Sequence, residues 1–264
     1  MALVDIEGVS LIRDGRKILD SVTLGMERGE CAVVMGFSGS GSSTLLKTAA
    51  GILSPDEGRV LAYGEDLQRL TSHELFLLRG KMGFAFQDAA LWANMSGFQN
   101  MALPLQFHRP EISGAEIREK ILAMAREFDF RGNLARRPVD FSNGERKLIS
   151  LMRAMILGPE ILFLDDPSGA VDNASSERIL HILKKRKAAG VTLLIATYNP
   201  RYTSHLADTL VVLKEGRVAE AGPFSRVRAS REPYVRAVLS ENLSEALSPD
   251  TQAGISSVSE NENA

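Results

Sequence analysis

The sequence predicts an α/β protein: a largely parallel sheet covered by helices on both faces, with a helical lobe inserted in the middle of the chain. Three observations carry that expectation. The runs CAVVMG (31–36), ILFLDD (161–166), TLLIAT (192–197) and TLVVL (209–213) are brief, apolar without alternation and bounded by turn residues, as strands buried on both faces are. Amphipathic segments separate them. From about residue 89 to 145 the pattern turns helical, and SGAEIREKILAMAREF places Ile117, Ile121, Met124 and Phe128 on one stripe behind a cap at Ser113.

Composition narrows the function classes. With 264 residues and 44% hydrophobic content the chain can bury a full core. Its net charge of −2 offers no broad basic footprint for nucleic acid, and KKRK (184–187) reads as the solvated end of a helix. Cys31 is the sole cysteine, so no internal disulfide forms, and a buried thiol in a reducing compartment is expected. The start, MALVDIEGVSL, lacks a basic segment followed by a long apolar one, and no window holds 18 consecutive apolar residues. The expectation is a cytosolic chain whose link to a membrane would run through a partner.

In chain order, residues up to about 30 read as short strands turning at Asp14-Gly15. The run ending at Met35 then enters GFSGSGSST (36–44), and TLLKTAAG follows with helical character. Strand, glycine-rich turn and helix in that order is the context in which main-chain N–H groups converge on phosphate and a helix N-terminus adds its dipole. Gly36, Ser38, Gly39, Ser40, Gly41, Ser42, Ser43 and Thr44 are the candidate nucleotide-binding residues, with the hydroxyl of Ser43 standing where magnesium is ligated. The pattern G-x-x-x-x-G-K-[ST] asks for lysine at Ser42.

GFAFQDAALWANMSGFQNMALPL (83–105) sets Gln87 at the end of a strand-like run, and FSNGERKLISLMRAMILGPE (141–160) precedes ILFLDDP. The latter ends in paired carboxylates, of which Asp165 would hold magnesium through water. SGAVD (168–172) follows, IATYNP places Tyr198 after the next strand, and Glu215-Gly216 turns a final hairpin. The tail 244–264 is polar, without periodicity, and reads as disordered.

This set of motifs, over residues 1 to about 225, resembles the ATP-binding subunits of ABC transporters, and the wording around Gln87 is most similar to ATPases of MCE-type (Mla-like) lipid-transport systems. The resemblance implies a P-loop NTPase (RecA-like) core with an antiparallel β-subdomain and an inserted helical subdomain, all within residues 1–243. It implies ATP and Mg2+ as cofactors, with Ser43, Gln87 and Asp165 as the metal set and Asp166 and Tyr198 at the catalytic positions. It also implies a second ATPase subunit, to which Ser142, Asn143, Gly144 and Glu145 present the signature, and an integral membrane permease that holds the chain on the inner face of the membrane.

Measured against that pattern, the chain departs where chemistry is done. Ser42 removes the cation that reaches the β- and γ-phosphates; Asn143 puts a side chain where backbone should approach phosphate, and Glu145 adds negative charge near a polyanion. Asp166 replaces the glutamate expected as general base, one methylene shorter, and Tyr198 replaces the switch histidine. LIRD (11–14) offers no aromatic to stack on adenine. A charge-assisted hydrogen bond contributes about 1.5–3 kcal/mol, and about 1.4 kcal/mol in a barrier is tenfold in rate. Each loss therefore costs on the order of one to three decades, without simple additivity. Weak nucleotide binding with slow or absent hydrolysis is expected. A slowly turning ATPase and a non-catalytic docking or regulatory subunit both remain open, as does a soluble ABC-fold protein without a permease. Trp92 and ANMSGFQNMALPL lie where transporter subunits receive a permease helix, or pack within the helical lobe.

Overall fold

β1 (Val4–Arg13) and β2 (Arg16–Met26) form an antiparallel hairpin that turns at Asp14 and Gly15, whose φ angles of 50° and 73° suit the twist of the flanking strands. At ten and eleven residues these strands are longer than the short ones expected. Inward residues from Val4 to Leu11 and from Leu19 to Met26 are all buried, and register shifts within the pairing keep them facing one way. β4 (Glu57–Ala62) and β5 (Glu65–Asp66) complete an antiparallel sheet of order β2-β1-β4-β5. The structure, a computed structural model, describes residues 2–243; the tail expected at 244–264 lies outside the described residues.

The second sheet begins with β3 (Cys31–Met35), from which α1 (Ser42–Ala49) departs across the glycine-rich turn. α2 (Ser72–Arg79) leads into β6 (Met82–Ala85), followed by α3 (Gly97–His108), α4 (Gly114–Glu127) and, after a 3-10 turn at Pro138–Asp140, α5 (Asn143–Met155). β7 (Ile161–Asp165), α6 (Asn173–Ala188), β8 (Thr192–Ala196), α7 (Pro200–Leu206), β9 (Thr209–Lys214), β10 (Arg217–Pro223), α8 (Phe224–Arg228) and α9 (Pro233–Leu243) complete the described chain. The order is β10-β9-β3-β8-β7-β6, with β9, β3, β8, β7 and β6 parallel and β10 antiparallel at the edge.

Both faces of this sheet are covered, which is why its strands read as unbroken apolar runs. Cys31, Val33 and Met35 join a core with the helices α3 to α6, while Ala32 and Val34 join a second core with α1 and the antiparallel sheet. Burial pushes the Cys31 thiol far above its usual pKa, so it behaves as a small apolar group. Ser113 caps α4 with Glu116 in a reciprocal capping box, and Ile117, Ile121 and Phe128 are buried as the stripe predicts, joined by Ala125; Met124 is partly buried. The basic run at 184–187 is less solvated than expected: Arg186 pairs with Glu127 at 2.6 Å and Lys187 with Asp208 at 2.7 Å.

Candidate functional site

Four segments leave the carboxyl ends of the adjacent parallel strands β3, β8, β7 and β6 at one edge of the sheet: the turn at 36–41, Tyr198, the pair Asp165-Asp166, and Gln87. Such an edge is where open α/β sheets take ligands. Together they line a cavity of roughly 490 Å3, to which Ser38, Gly39, Gly41, Ser42, Ser43 and Thr44 contribute one wall. Ile18, Phe37 and Glu241 of α9 close its rim. Its aromatics are Tyr198 and Phe37, the latter packed edge-on against Tyr234 at 5.3 Å, and neither belongs to 11–14.

The turn is shaped for an anion. Gly41 has φ 100°, and a Cβ there would lie 2.8 Å from the Ile18 carbonyl oxygen, so backbone geometry and crowding both demand glycine. α2 to α6 begin at side-chain caps, Thr71, Ser96, Ser113, Ser142 and Asp172, whereas α1 begins at Gly41 with none. Its first intrahelical bond runs from Leu45 N–H to Gly41 O at 2.8 Å, so the N–H groups of Ser42, Ser43 and Thr44 have no acceptor within the helix. The Ser43 hydroxyl donates to Asp165 Oδ1 at 2.8 Å, bringing together two of the oxygens expected to ligate magnesium. Burial holds the Asp165 carboxyl above its usual pKa, partly offset by that hydroxyl. The exposed amides and this pair of oxygens fit a magnesium-bound phosphate.

Two candidates need correction. Ser40 and Gly36 do not line the cavity: the Ser40 side chain is 5% exposed and turned onto Gly36, where an added Cβ would meet Ser40 Oγ at 2.5 Å. Ser40 N–H donates to Phe37 O at 2.9 Å and its carbonyl accepts from Gly216 at 3.0 Å. Ser40 thus holds the turn closed from behind, its N–H engaged by Phe37 O.

On the opposite wall the groups face each other or themselves. Asp166 adopts φ 47°, an uncommon conformation for a side chain of its kind, and its carboxylate accepts from Ser168 Oγ at 3.4 Å, bent back over its own loop. Tyr198 and Ser42 line the same cavity; burial raises the Tyr198 pKa, the Asp166 charge adds to this, and the Ser42 side chain acts the other way. The two substitutions that the sequence presents separately, at Ser42 and Tyr198, thus fall in one cavity.

Sequence reasoning missed the cations that hold Gln87 in place. Lys147 of α5 is 2% exposed, and its ammonium donates to the carbonyls of Asp165 (2.8 Å), Phe86 (3.0 Å) and Gln87 (3.3 Å). Arg153, two turns on, donates to Ala89 O and Ala90 O, each at 3.0 Å. Those alanines sit at φ 66° and 44°, a strained pair that persists because it is clamped. Burial lowers the pKa of both cations. The signal was present: Lys147 falls on the same helical stripe as Leu151 and Ala154, where a charge needs partners. Asn100, fully buried, accepts from Trp92 N–H at 2.8 Å and donates to the carbonyls of Trp92, Met95 and Ser96, fixing the next loop.

Beyond that loop lies a second concavity of roughly 820 Å3, walled by Phe76, Phe84, Trp92, Leu103, Phe107 and Leu157, with Arg79, His108 and Arg153 among its polar groups. Trp92 and Phe107 are 61% and 66% exposed in it. Trp92 therefore does not pack into the core, which was one of its two expected fates.

The signature residues start α5. Ser142 N–H donates to Glu145 Oε2 at 2.8 Å and Glu145 N–H to Ser142 Oγ at 3.2 Å, a reciprocal capping box. The Glu145 charge, expected to face a polyanion, is instead folded onto its own helix terminus, and Asn143 accepts from Arg146. Gly144 approaches Ala170 O of the loop after β7, with 3.1 Å left for a Cβ.

A parallel sheet with an uncapped helix behind a glycine-rich turn and an acid-tipped neighbouring strand defines a phosphate-loop nucleotide-binding fold. The chain belongs to the ABC transporter family, as an ATP-binding domain: the family pattern "ABC transporter" matches residues 19–169. Among its relatives, the cell division ATP-binding protein FtsE of Escherichia coli (strain K12) is 34% identical over 77% of this chain and 91% of its own. The intermembrane phospholipid transport system ATP-binding protein MlaF of Haemophilus influenzae (strain Rd) is 29% identical over 87% of each chain. The phospholipid-transport type is thus one of several similar relatives. The dimeric post-hydrolysis ATP-binding cassette MJ0796, solved with ADP and Pi, superposes with a TM-score of 0.78 at 29% identity, over 84% of this chain and 98% of that one.

Proposed function

We propose that this chain is an ABC transporter subunit that binds Mg-ATP weakly, hydrolyses it slowly or not at all, and transmits occupancy of that site to a membrane permease of lipid-transport type. The observation that carries the reading is the contrast across one cavity. The amide nest of α1 and the Ser43–Asp165 pair stand ready for phosphate and magnesium, while the same cavity holds the uncharged side chains of Ser42 and Tyr198 and an Asp166 carboxylate turned onto Ser168.

Bound magnesium would supply charge stabilisation at the phosphates, held by Ser43 and, through water, Asp165, with Gln87 at the cavity wall. Amides of Ser42, Ser43 and Thr44 orient the phosphate chain. Asp166 and Tyr198 are the groups left to position water, and neither is placed to do so efficiently. A second ATPase subunit completes the site with its signature, as head-to-tail pairing requires. Lys147 and Arg153 join the cavity to the apolar groove through the segment 86–90, and that groove suits an apolar helix of a permease better than it suits solvent. It speaks against a soluble role without a permease. Relatives named for methionine import and phospholipid transport support a transport role, and the phospholipid relative supports a lipid cargo. In this arrangement the chain sits on the cytoplasmic face, held by its partner; no helix among the described residues is long and apolar enough to cross a membrane.

Purified protein with Mg-ATP tests this. Phosphate release is expected at or near background. The pair Ser42→Lys with Asp166→Glu is expected to raise ATP affinity at least about tenfold, measured by calorimetric titration. Release in the wild type at rates ordinary for the family, falling on Asp165→Asn, would overturn the weak-hydrolysis reading.

A further inference from the structure

The charge balance of the phosphate cavity goes beyond the loss of one lysine. Among the described residues three carboxylates line it, Asp165, Asp166 and Glu241, and no lysine, arginine or histidine does. Among the described residues the cations acting on Asp165 are Lys47 and Lys147. Lys147 directs its ammonium to three carbonyls behind the cavity, and Lys47 is not among the lining residues. Against these carboxylates the helix terminus offers only about half a positive charge, while a nucleoside triphosphate adds several negative ones. Water thins in such a cleft, so like charges within it repel more strongly than at an open surface.

We infer that this site takes a nucleotide only as its complex with a divalent cation, so that the metal is a condition of binding and not just of hydrolysis. The inference rests on the nucleotide-binding reading above and names the form of ligand that the site accepts. A metal ion arriving with the phosphates neutralises Asp165 and part of the nucleotide charge at once, and the Ser43 hydroxyl already lies 2.8 Å from that carboxylate to share in its coordination. Free nucleotide brings no such compensation for Asp165 and Asp166, nor for Glu241 at the exposed rim. Had lysine stood at Ser42, it would have supplied a resident charge beside the β- and γ-phosphates, and the metal would be dispensable for affinity.

Two calorimetric titrations of the full chain with ATP decide it, one in magnesium and one in EDTA at equal ionic strength. Magnesium is expected to tighten binding at least about tenfold, equivalent to about 1.4 kcal/mol. Ser42→Lys is expected to narrow the gap by raising the metal-free affinity, and Glu241→Gln to raise it by a smaller factor. Equal affinity with and without magnesium overturns the inference while leaving nucleotide binding intact. No binding in either buffer overturns both. Should Ser42→Lys fail to fold, the two wild-type titrations still give the answer.

Discussion

Two concavities share the wall formed by residues 86–90. The phosphate cavity on one side has Ser42, Asp166 and Tyr198 where the resemblance implies lysine, glutamate and histidine; the groove on the other side is mainly apolar and exposes the rings of Phe76, Trp92 and Phe107. Between them, Lys147 and Arg153 give five hydrogen bonds to main-chain carbonyls of this stretch and of Asp165. One side departs from the family pattern at the positions where chemistry is expected, and the other presents an apolar surface. That division is what a subunit needs if it reports occupancy to a partner without turning over fuel quickly.

The largest effect is expected where the two regions are joined. Lys147→Met leaves buried carbonyls without a donor, which should cost about 2–3 kcal/mol. For a domain of this size that is a fall of about 4–12 °C in midpoint temperature. Because burial already lowers the Lys147 pKa, part of this loss is offset by removal of a desolvated charge, and thermal and urea unfolding together measure the net. A variant as stable as the wild type would mean that the shared wall does not depend on this clamp.

Phe107→Asp should separate the regions instead of joining them. The ring is 66% exposed, so stability should change by less than about 0.5 kcal/mol. ATP affinity should stay within about twofold. Capture of a membrane subunit by the tagged chain from host membranes should weaken by about 2 kcal/mol, as for a central aromatic of an interface. Undiminished capture would remove the groove from the docking account.

The same contrast explains what the sequence could and could not disclose. Strand identity was legible because double-sided burial writes itself as runs such as ILFLD, and the phosphate turn was legible because Gly39 and Gly41 are demanded by backbone geometry. Missing residues at positions of chemistry were legible as substitutions. Their spatial consequences were not: that Tyr198 shares a cavity with Ser42, that Glu145 turns onto Ser142, and that Ser40 points inward depend on the tertiary fold and side-chain direction, which spacing does not encode. β4, β5 and α2 gave no signal that was read, since Glu57–Ala62 is half exposed and α2 buries no residue fully. Lys147 was missed because a lysine in FSNGERKLIS reads as solvated until its carbonyl partners, 18 and 60 residues away in sequence, are brought to it.

The smallest effect concerns the groove alone. His108 stacks on Phe76 at 4.3 Å and 14°, and burial, with the neighbouring Arg109 charge, lowers its pKa below the usual value. The folded state therefore resists a proton that the unfolded chain accepts. Its contribution to stability is fully present above the unfolded histidine pKa of about 6.5 and is lost as pH falls through the lower folded value. The ring is partly buried and screened by nearby solvent, which makes this the smallest of the effects. Urea midpoints at pH 7.5 and 5 for wild type and His108→Gln should differ in slope with pH, the variant losing less on acidification. ATP affinity at the two pH values should change equally in both proteins, because the stacked pair faces the groove and not the phosphate cavity. A larger drop in the affinity of the wild type would show that the two regions communicate through more than the segment 86–90.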